Sequence, residues 1–180
     1  VRKGITWALA ALVLAYMVLL GCNLYARSLV NRQGSFESLE QAAALDQFEW
    51  ADYALSYVLS SMQVEAPTEE IQFKAAQYAE KLQEVDSNTI PLYLAQYYFE
   101  QGDNTQAFAM LNQYTDYVAA DPETWQQSFD LIMQNYQEDP VYLEGVTALY
   151  QKMLDWNAEH MGTLSLSDTT MGWMEQFGMI

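Results

Sequence analysis

Basic residues are scarce beyond the first 32 positions of this chain. Only Lys74, Lys81 and Lys152 follow residue 32, whereas all 24 acidic residues of the protein lie after it. A surface with such an excess of negative charge repels phosphate backbones and anionic lipid headgroups. We therefore expect no nucleic-acid partner, and the acidity favours a solvated surface outside the cytoplasm.

Cysteine and histidine are almost missing. The chain has one cysteine, Cys22, and one histidine, His160, so no intrachain disulfide and no cysteine-based metal site can form. His160 lies in a polar stretch, which is typical of a surface residue, and the carboxylates lack the alternating spacing of a calcium loop. We expect no metal and no cofactor.

Catalytic motifs are missing as well. The sequence contains no nucleophile elbow, phosphate-binding loop or dinucleotide-binding glycine pattern. Adjacent carboxylates such as Glu69 and Glu70 stand at a predicted helix start, where they compensate the helix dipole. We predict that this chain alone is not an enzyme and has no catalytic residues.

Charged residues are also missing from residues 4–24, which read GITWALAALVLAYMVLLGCNL. As a helix this run is about 31 Å long, which matches the hydrocarbon core of a bilayer. Residues 1–32 are therefore predicted to be a membrane-spanning helix with its flanks. Two basic residues lie at each end, so the positive-inside rule does not set the orientation. We favour a bacterial cell membrane with the acidic part on its outer side.

An alternative is carried by the residues Val18-Leu19-Leu20-Gly21-Cys22, which resemble the lipobox of bacterial lipoproteins. Arg2-Lys3 and the apolar residues 5–20 would then form a cleaved signal peptide. In this interpretation Cys22 is lipidated and the protein is a self-contained lipoprotein adaptor. Against it, Asn23 and the following residues continue as helix-forming sequence rather than as a polar linker.

The rest of the chain is predicted to be all-α. Asp139-Pro140 and Asp121-Pro122 each place a capping carboxylate before a proline at the first helical position. Asp103 and Gln106 form the pattern of a capping box. The predicted helices are Phe36–Gln47, Trp50–Met62, Thr68–Val85, Thr89–Gln101, Asn104–Ala119, Pro122–Asn135 and Pro140–Glu159.

Residues 33–160 are predicted to form an acidic array of tetratricopeptide-like helical repeats, because helix pairs recur with a period in the thirties. The best unit, residues 91–121, resembles the tetratricopeptide repeat at Leu94-Ala95, Tyr98, Ala107 and Leu111. Residues 161–180 are expected to be a terminal capping helix or a tail. Stacked helix pairs leave a concave face, so we predict a protein or peptide partner. The candidate groove residues are Tyr93, Tyr97, Tyr114 and Tyr117.

A membrane helix followed by the segment Leu39–Tyr53 and repeat-like helices is similar to the C-terminal region of bacterial O-antigen ligase/polymerase-type membrane proteins. This resemblance implies that the apolar run is the last of many spans and that the chain is an accessory part of an enzyme of cell-envelope glycan assembly. It also accounts for Val1 in place of methionine, which processing or an alternative start codon would explain equally well. The family's periplasmic Arg and His residues have no counterpart here, so the resemblance implies no active site in this chain.

Overall fold

The computed structural model describes residues 2–117, 122–160, 162 and 164–178, with the backbone alone for residues 2–5, 33 and 117. This part of the chain forms nine α-helices and no β-strand, so the all-α prediction is confirmed. The helices are α1 (Arg2–Gln33), α2 (Phe36–Leu45), α3 (Trp50–Gln63), α4 (Glu69–Leu82), α5 (Ile90–Glu100), α6 (Asn104–Tyr117), α7 (Pro122–Gln134), α8 (Pro140–Glu159) and α9 (Asp168–Gln176).

The helices belong to two compact units, which are unit 1 (Val1–Leu82) and unit 2 (Gln83–Ile180). None of the boundaries between the predicted regions 1–32, 33–160 and 161–180 falls near residue 82, where unit 1 ends. Within unit 1, the end of α1 packs against α2. The predicted boundary after residue 32 therefore separates two helices that share one core.

Most helices begin where the sequence predicts, because their caps are local. The Asp139 carboxylate accepts a hydrogen bond from the Val141 N–H ahead of the proline that opens α8. The Asp103 carboxylate accepts from the Gln106 N–H at 3.1 Å at the start of α6. Asp121, the predicted cap of α7, lies outside the described residues.

Helices α2 and α4 end two and three residues before their predicted ends, and α5 and α7 each end one residue early. Helix α2 stops at Leu45 rather than at residue 47, because Asp46 leaves the helical conformation with φ −106° and ψ 104°. Its carboxylate then accepts from the backbone N–H groups of Phe48 and Glu49, which closes a turn in place of further helix. Helix α4 stops at Leu82, three residues before the predicted end.

Small side chains dominate the core of unit 1. Alanine is its commonest buried residue, and such side chains let neighbouring helices approach closely; the buried alanines are Ala26, Ala42, Ala43, Ala54, Ala75, Ala76 and Ala79. This core also holds three buried tyrosines, Tyr53, Tyr57 and Tyr78, and the rings of the last two lie edge-on with centroids 5.3 Å apart. Because Ala26 belongs to α1 and is fully buried, the second part of that helix is a structural element of unit 1.

Unit 2 is built around the pair α5 and α6. The repeat pattern predicts packed small and large side chains in this pair, and the four residues concerned are fully buried: Leu94, Ala95, Ala107 and Leu111. Gly102 makes the connecting turn with φ +74°, and the Asp103 N–H donates to the Tyr98 carbonyl at 2.9 Å. Helices α7 and α8 add a core of large side chains that includes Trp125, Phe129 and Tyr142.

The C-terminal segment contains the helix expected for a terminal cap. Helix α9 packs against α7 through Met174 and Thr170, which are both fully buried. The Gln126 side chain fixes this contact, since its amide donates to the Thr170 hydroxyl at 2.9 Å and its carbonyl accepts from the Ser167 N–H at 2.9 Å.

Candidate functional site

Helix α1 has an uncovered part and a covered part. Every side chain from Thr6 to Gly21 is exposed, including Trp7 and Leu12 at 76% and 66%. Within the described part of the chain, the segment Thr6–Arg32 is the one helix long and apolar enough to cross a membrane. Side chains first become half-buried at Cys22 and Asn23, where unit 1 begins to cover the helix.

A group of five polar side chains, here named the polar clamp, joins α1 to the turn between α2 and α3. Its members are Asn23, Arg27, Asp46, Glu49 and Tyr53. The Asn23 amide donates to the Asp46 carboxylate at 2.7 Å, and Asp46 is 1% exposed. The Glu49 carboxylate pairs with the Arg27 guanidinium and accepts from the Tyr53 hydroxyl at 2.9 Å. Charge-assisted hydrogen bonds of this kind hold α1 in one register against the turn.

Burial raises the pKa of the Tyr53 hydroxyl, the nearby Asp46 carboxylate raises it further, and the Arg27 guanidinium partly offsets both effects. Tyr53 therefore stays protonated and donates to Glu49 throughout the physiological range. The polar clamp is a structural joint, because each of its polar groups is used to hold another.

A groove in unit 1 is the best candidate for a binding site. It has a volume of about 450 Å³ and is lined by side chains of α2, α3 and α4. Its floor is Tyr57, which is 3% exposed and lies edge-on to Phe36 with ring centroids 4.9 Å apart. Phe73 of α4 lines the groove and leaves 57% of its surface exposed.

The walls of the groove carry more negative than positive charge. Glu37, Glu40 and Glu70 line it together with one cation, Lys74. The Lys74 ammonium pairs with Glu40 at 2.5 Å, and this carboxylate raises the pKa of the ammonium group. Since no ion pair in the described part of unit 1 involves Glu37 or Glu70, these two carboxylates give the groove its net charge.

The predicted groove tyrosines do not form one surface. Tyr93 and Tyr97 lie one turn apart on α5 and are both half-buried. Tyr114 is 4% exposed and its hydroxyl donates to the Gln127 side chain at 2.7 Å, so it belongs to the core of unit 2. Its assignment to a groove is therefore corrected, because a ring packed between helices offers no surface to a partner. The side chain of Tyr117 lies outside the described residues.

Sequence reasoning missed the groove of unit 1, although α4 contains a signal for it. Ala75, Ala76 and Ala79 mark the buried face of that helix. Phe73 lies off this face, next to two exposed carboxylates at the helix start. One exposed aromatic side chain is ordinary by itself, so this signal gains meaning only from the groove that Phe73 lines.

The remaining polar candidates give no second site. Within the described ranges, no group of three or more His, Cys, Asp or Glu side chains could hold a metal ion. The His160 ring stacks on Trp156 with centroids 4.1 Å apart, at the end of α8. Cys22 is half-buried on α1, at the boundary between the uncovered and covered parts.

Comparison with known proteins yields no match to a protein family, to a curated protein or to a solved structure. The tetratricopeptide-like arrangement and the resemblance to O-antigen ligase-type proteins gain no support from these comparisons. Both remain predictions.

Proposed function

We propose that the protein is a membrane-anchored helical interaction module of tetratricopeptide-like type. The uncovered part of α1 anchors it, and its acidic helices are displayed to a protein or peptide partner. The observation that carries the proposal is the continuity of α1, whose residues 6–21 are exposed and apolar while Ala26 lies in the core of unit 1. A helix apolar on all faces needs a non-aqueous environment, and a bilayer supplies one.

The partner binds in the groove of unit 1. Phe36 and Phe73 offer it apolar and aromatic surface, while Glu37 and Glu70 offer negative charge. These groups suit a peptide segment in which a lysine or arginine stands beside an aliphatic residue, because carboxylates pair with the cation and ring faces attract it. Anionic ligands are disfavoured by the same walls.

Binding is tested by titrating a short peptide of alternating lysine and leucine into isotope-labelled protein in detergent, with a glutamate–leucine peptide as the control. We expect amide shifts at Phe73 and Lys74 with the first peptide alone, and weaker binding of that peptide to the double variant Glu37→Gln/Glu70→Gln. Glu65→Gln, which removes one exposed charge outside the groove, is the control variant and should bind as the unchanged protein does. Equal shifts with both peptides would contradict the proposal.

The displayed part is proposed to lie outside the cytoplasm of a bacterial cell. Unit 2, whose single lysine is already paired with Asp116 at 2.7 Å, has the acidic surface that favours this side. Protease added to intact spheroplasts should remove both units, whereas protection from it would place them inside. In the wider proposal the chain is an accessory part of an O-antigen ligase-type protein. An antibody to residues 33–180 would then detect a native protein several times heavier than 20.6 kDa.

One observation favours a lipoprotein as the second candidate. The uncovered part of α1 ends at Gly21, directly before the cysteine of the lipobox-like segment. Cleavage at that point would remove the uncovered part of α1 and leave Asn23 and Ala26 to pack in unit 1. Labelled palmitate should be incorporated into the lipoprotein form, and Cys22→Ala should abolish this incorporation. A protein that takes up no label and keeps its full length would contradict the lipoprotein form and support the spanning helix.

A further inference from the structure

The turn between α2 and α3, residues 46–49, presents an aromatic ring to the outside of unit 1. Phe48 is 67% exposed, and Leu45, just before the turn, is 36% exposed. Single exposed apolar side chains are ordinary on protein surfaces and need no explanation in themselves. The place of this turn on unit 1 is what gives Phe48 a particular environment.

The turn lies beside the point on α1 where the uncovered part ends. Asn23 and Arg27 of α1 reach Asp46 and Glu49 of the turn, so the two elements are in direct contact. The unbroken run of exposed residues on α1 ends at Gly21, directly before Cys22 and Asn23, so a bilayer that covers this run reaches the level of the turn. Phe48 is then at the membrane surface rather than in bulk water.

The chemistry of the turn suits such a position. The Asp46 carboxylate accepts from the Phe48 and Glu49 N–H groups and from Asn23, and the Glu49 carboxylate is held by Arg27. Because these polar groups already have hydrogen-bond partners within unit 1, little additional hydration is lost when the tip of the turn enters the headgroup region. Aromatic and aliphatic side chains favour the boundary between headgroups and acyl chains.

We propose that the α2–α3 turn is a second membrane contact, in which Phe48 inserts into the interface of the bilayer that holds α1. The inference rests on the proposed anchoring by α1. Contact through both α1 and the turn would fix the orientation of unit 1 relative to the membrane, because two points of the unit are then held at the membrane surface. The lipidated form would place the turn at the same level, since Cys22 is next to Asn23.

The test uses the full chain with Cys22→Ala, reconstituted into phosphatidylcholine vesicles. A single cysteine is introduced at position 48, 13 or 62 and labelled with an environment-sensitive fluorophore. Val13 reports the uncovered part of α1, where it is 58% exposed. Met62 is 50% exposed near the other end of α3, about 18 Å along the helix axis from Trp50. Nitroxides attached high or low on the lipid acyl chain quench the label according to its depth.

We expect the label at 13 to be quenched most by the deep nitroxide, the label at 48 most by the shallow one, and the label at 62 by neither. Quenching at 13 with none at 48 would overturn the membrane contact and leave the anchor standing. A blue-shifted label at 48 that no nitroxide quenches would mean a protein contact instead, which also overturns the inference. No quenching at 13 would refute the anchor and the contact together.

Discussion

The side-chain amide of Asn23 donates a hydrogen bond to the carboxylate of Asp46 at 2.7 Å. Asn23 stands on α1, one residue after the half-buried Cys22, and Asp46 ends α2. Through this contact, the helix proposed to lie in the membrane is also held in the fold of unit 1. The proposed anchor and unit 1 are therefore joined by one continuous helix rather than by a flexible linker.

Asn23→Ala is expected to destabilise unit 1 by about 1–3 kcal/mol, because an oxygen of the buried Asp46 carboxylate loses its partner. Leu24→Ala is the matched control, since Leu24 is the next residue of α1 and is 59% exposed. The measurement is amide hydrogen exchange of α2 and α3 in residues 22–180. Equal protection in the two variants would show that the bond does not hold the helix.

Ala107→Asp is expected to destabilise unit 2 by more than about 3 kcal/mol, because it introduces an unpaired charge into a core. Ala107 of α6 is fully buried, as the predicted repeat register requires. The same substitution at Ala109, an exposed residue of the same helix, changes the net charge equally and should cost little. Thermal unfolding followed by circular dichroism compares the two, and similar melting temperatures would refute the register.

Gly145→Ala is expected to destabilise unit 2 by about 1–3 kcal/mol through overpacking. A Cβ at Gly145 in α8 would lie 2.3 Å from Cδ2 of Phe108. The Phe108 ring cannot easily move aside, because it is 6% exposed and packs edge-on against Phe99 and Tyr142.

The control for this change is Gly172→Ala in α9, where an added Cβ meets nothing within 4 Å. This substitution should stabilise the protein by about 0.5–1 kcal/mol, since alanine is the better helix former. Opposite shifts in the melting temperature are therefore expected from the same chemical change. A stabilising effect at both sites would show that α6 and α8 are farther apart than the structure has them.

The stability of unit 2 is expected to fall as the pH rises above about 10. Burial raises the pKa of the Tyr142 hydroxyl well above its ordinary value, with a smaller contribution from Tyr136. In the unfolded chain this tyrosine ionises near its ordinary pKa, so unfolding then releases a proton. The stabilisation is thus complete below that pKa and is lost progressively as the pH rises towards the folded value.

Tyr142→Phe separates this effect from general alkaline unfolding. The variant should lose about 1 kcal/mol at neutral pH, because the hydroxyl donates to the Ile132 carbonyl. Its melting temperature should then fall less steeply with alkaline pH than that of the unchanged protein. Parallel pH profiles would mean that Tyr142 ionises equally in the folded and unfolded states.

Helix starts were predictable from the sequence because a cap is a local structure. Asp139 needs only the proline and the N–H groups that follow it, and α8 begins where this pattern indicates. The end of α2 was not predictable in the same way. Asp46 stops the helix as part of the polar clamp, whose partners in α1 are more than twenty residues away in sequence.

The candidate site shows the same division between local and distant information. An amphipathic pattern gives the buried face of α4, but it does not give the helices that face Phe73 and Lys74 across a groove. The residue type of Tyr114 and its place in the best repeat predict a groove position, whereas the structure buries its ring and its hydroxyl donates to Gln127 of the next helix. Residue type alone does not distinguish a tyrosine at a surface from one in a core.

The most direct test of the anchored, continuous helix compares the full chain with residues 22–180 in membranes washed with alkaline carbonate. We expect the full chain to stay in the membrane pellet, while residues 22–180 are found in the supernatant and unfold cooperatively. A full chain released by the wash would contradict the anchor. Residues 22–180 that remain in the pellet, or that are soluble but unfolded, would contradict the division of α1 at Cys22.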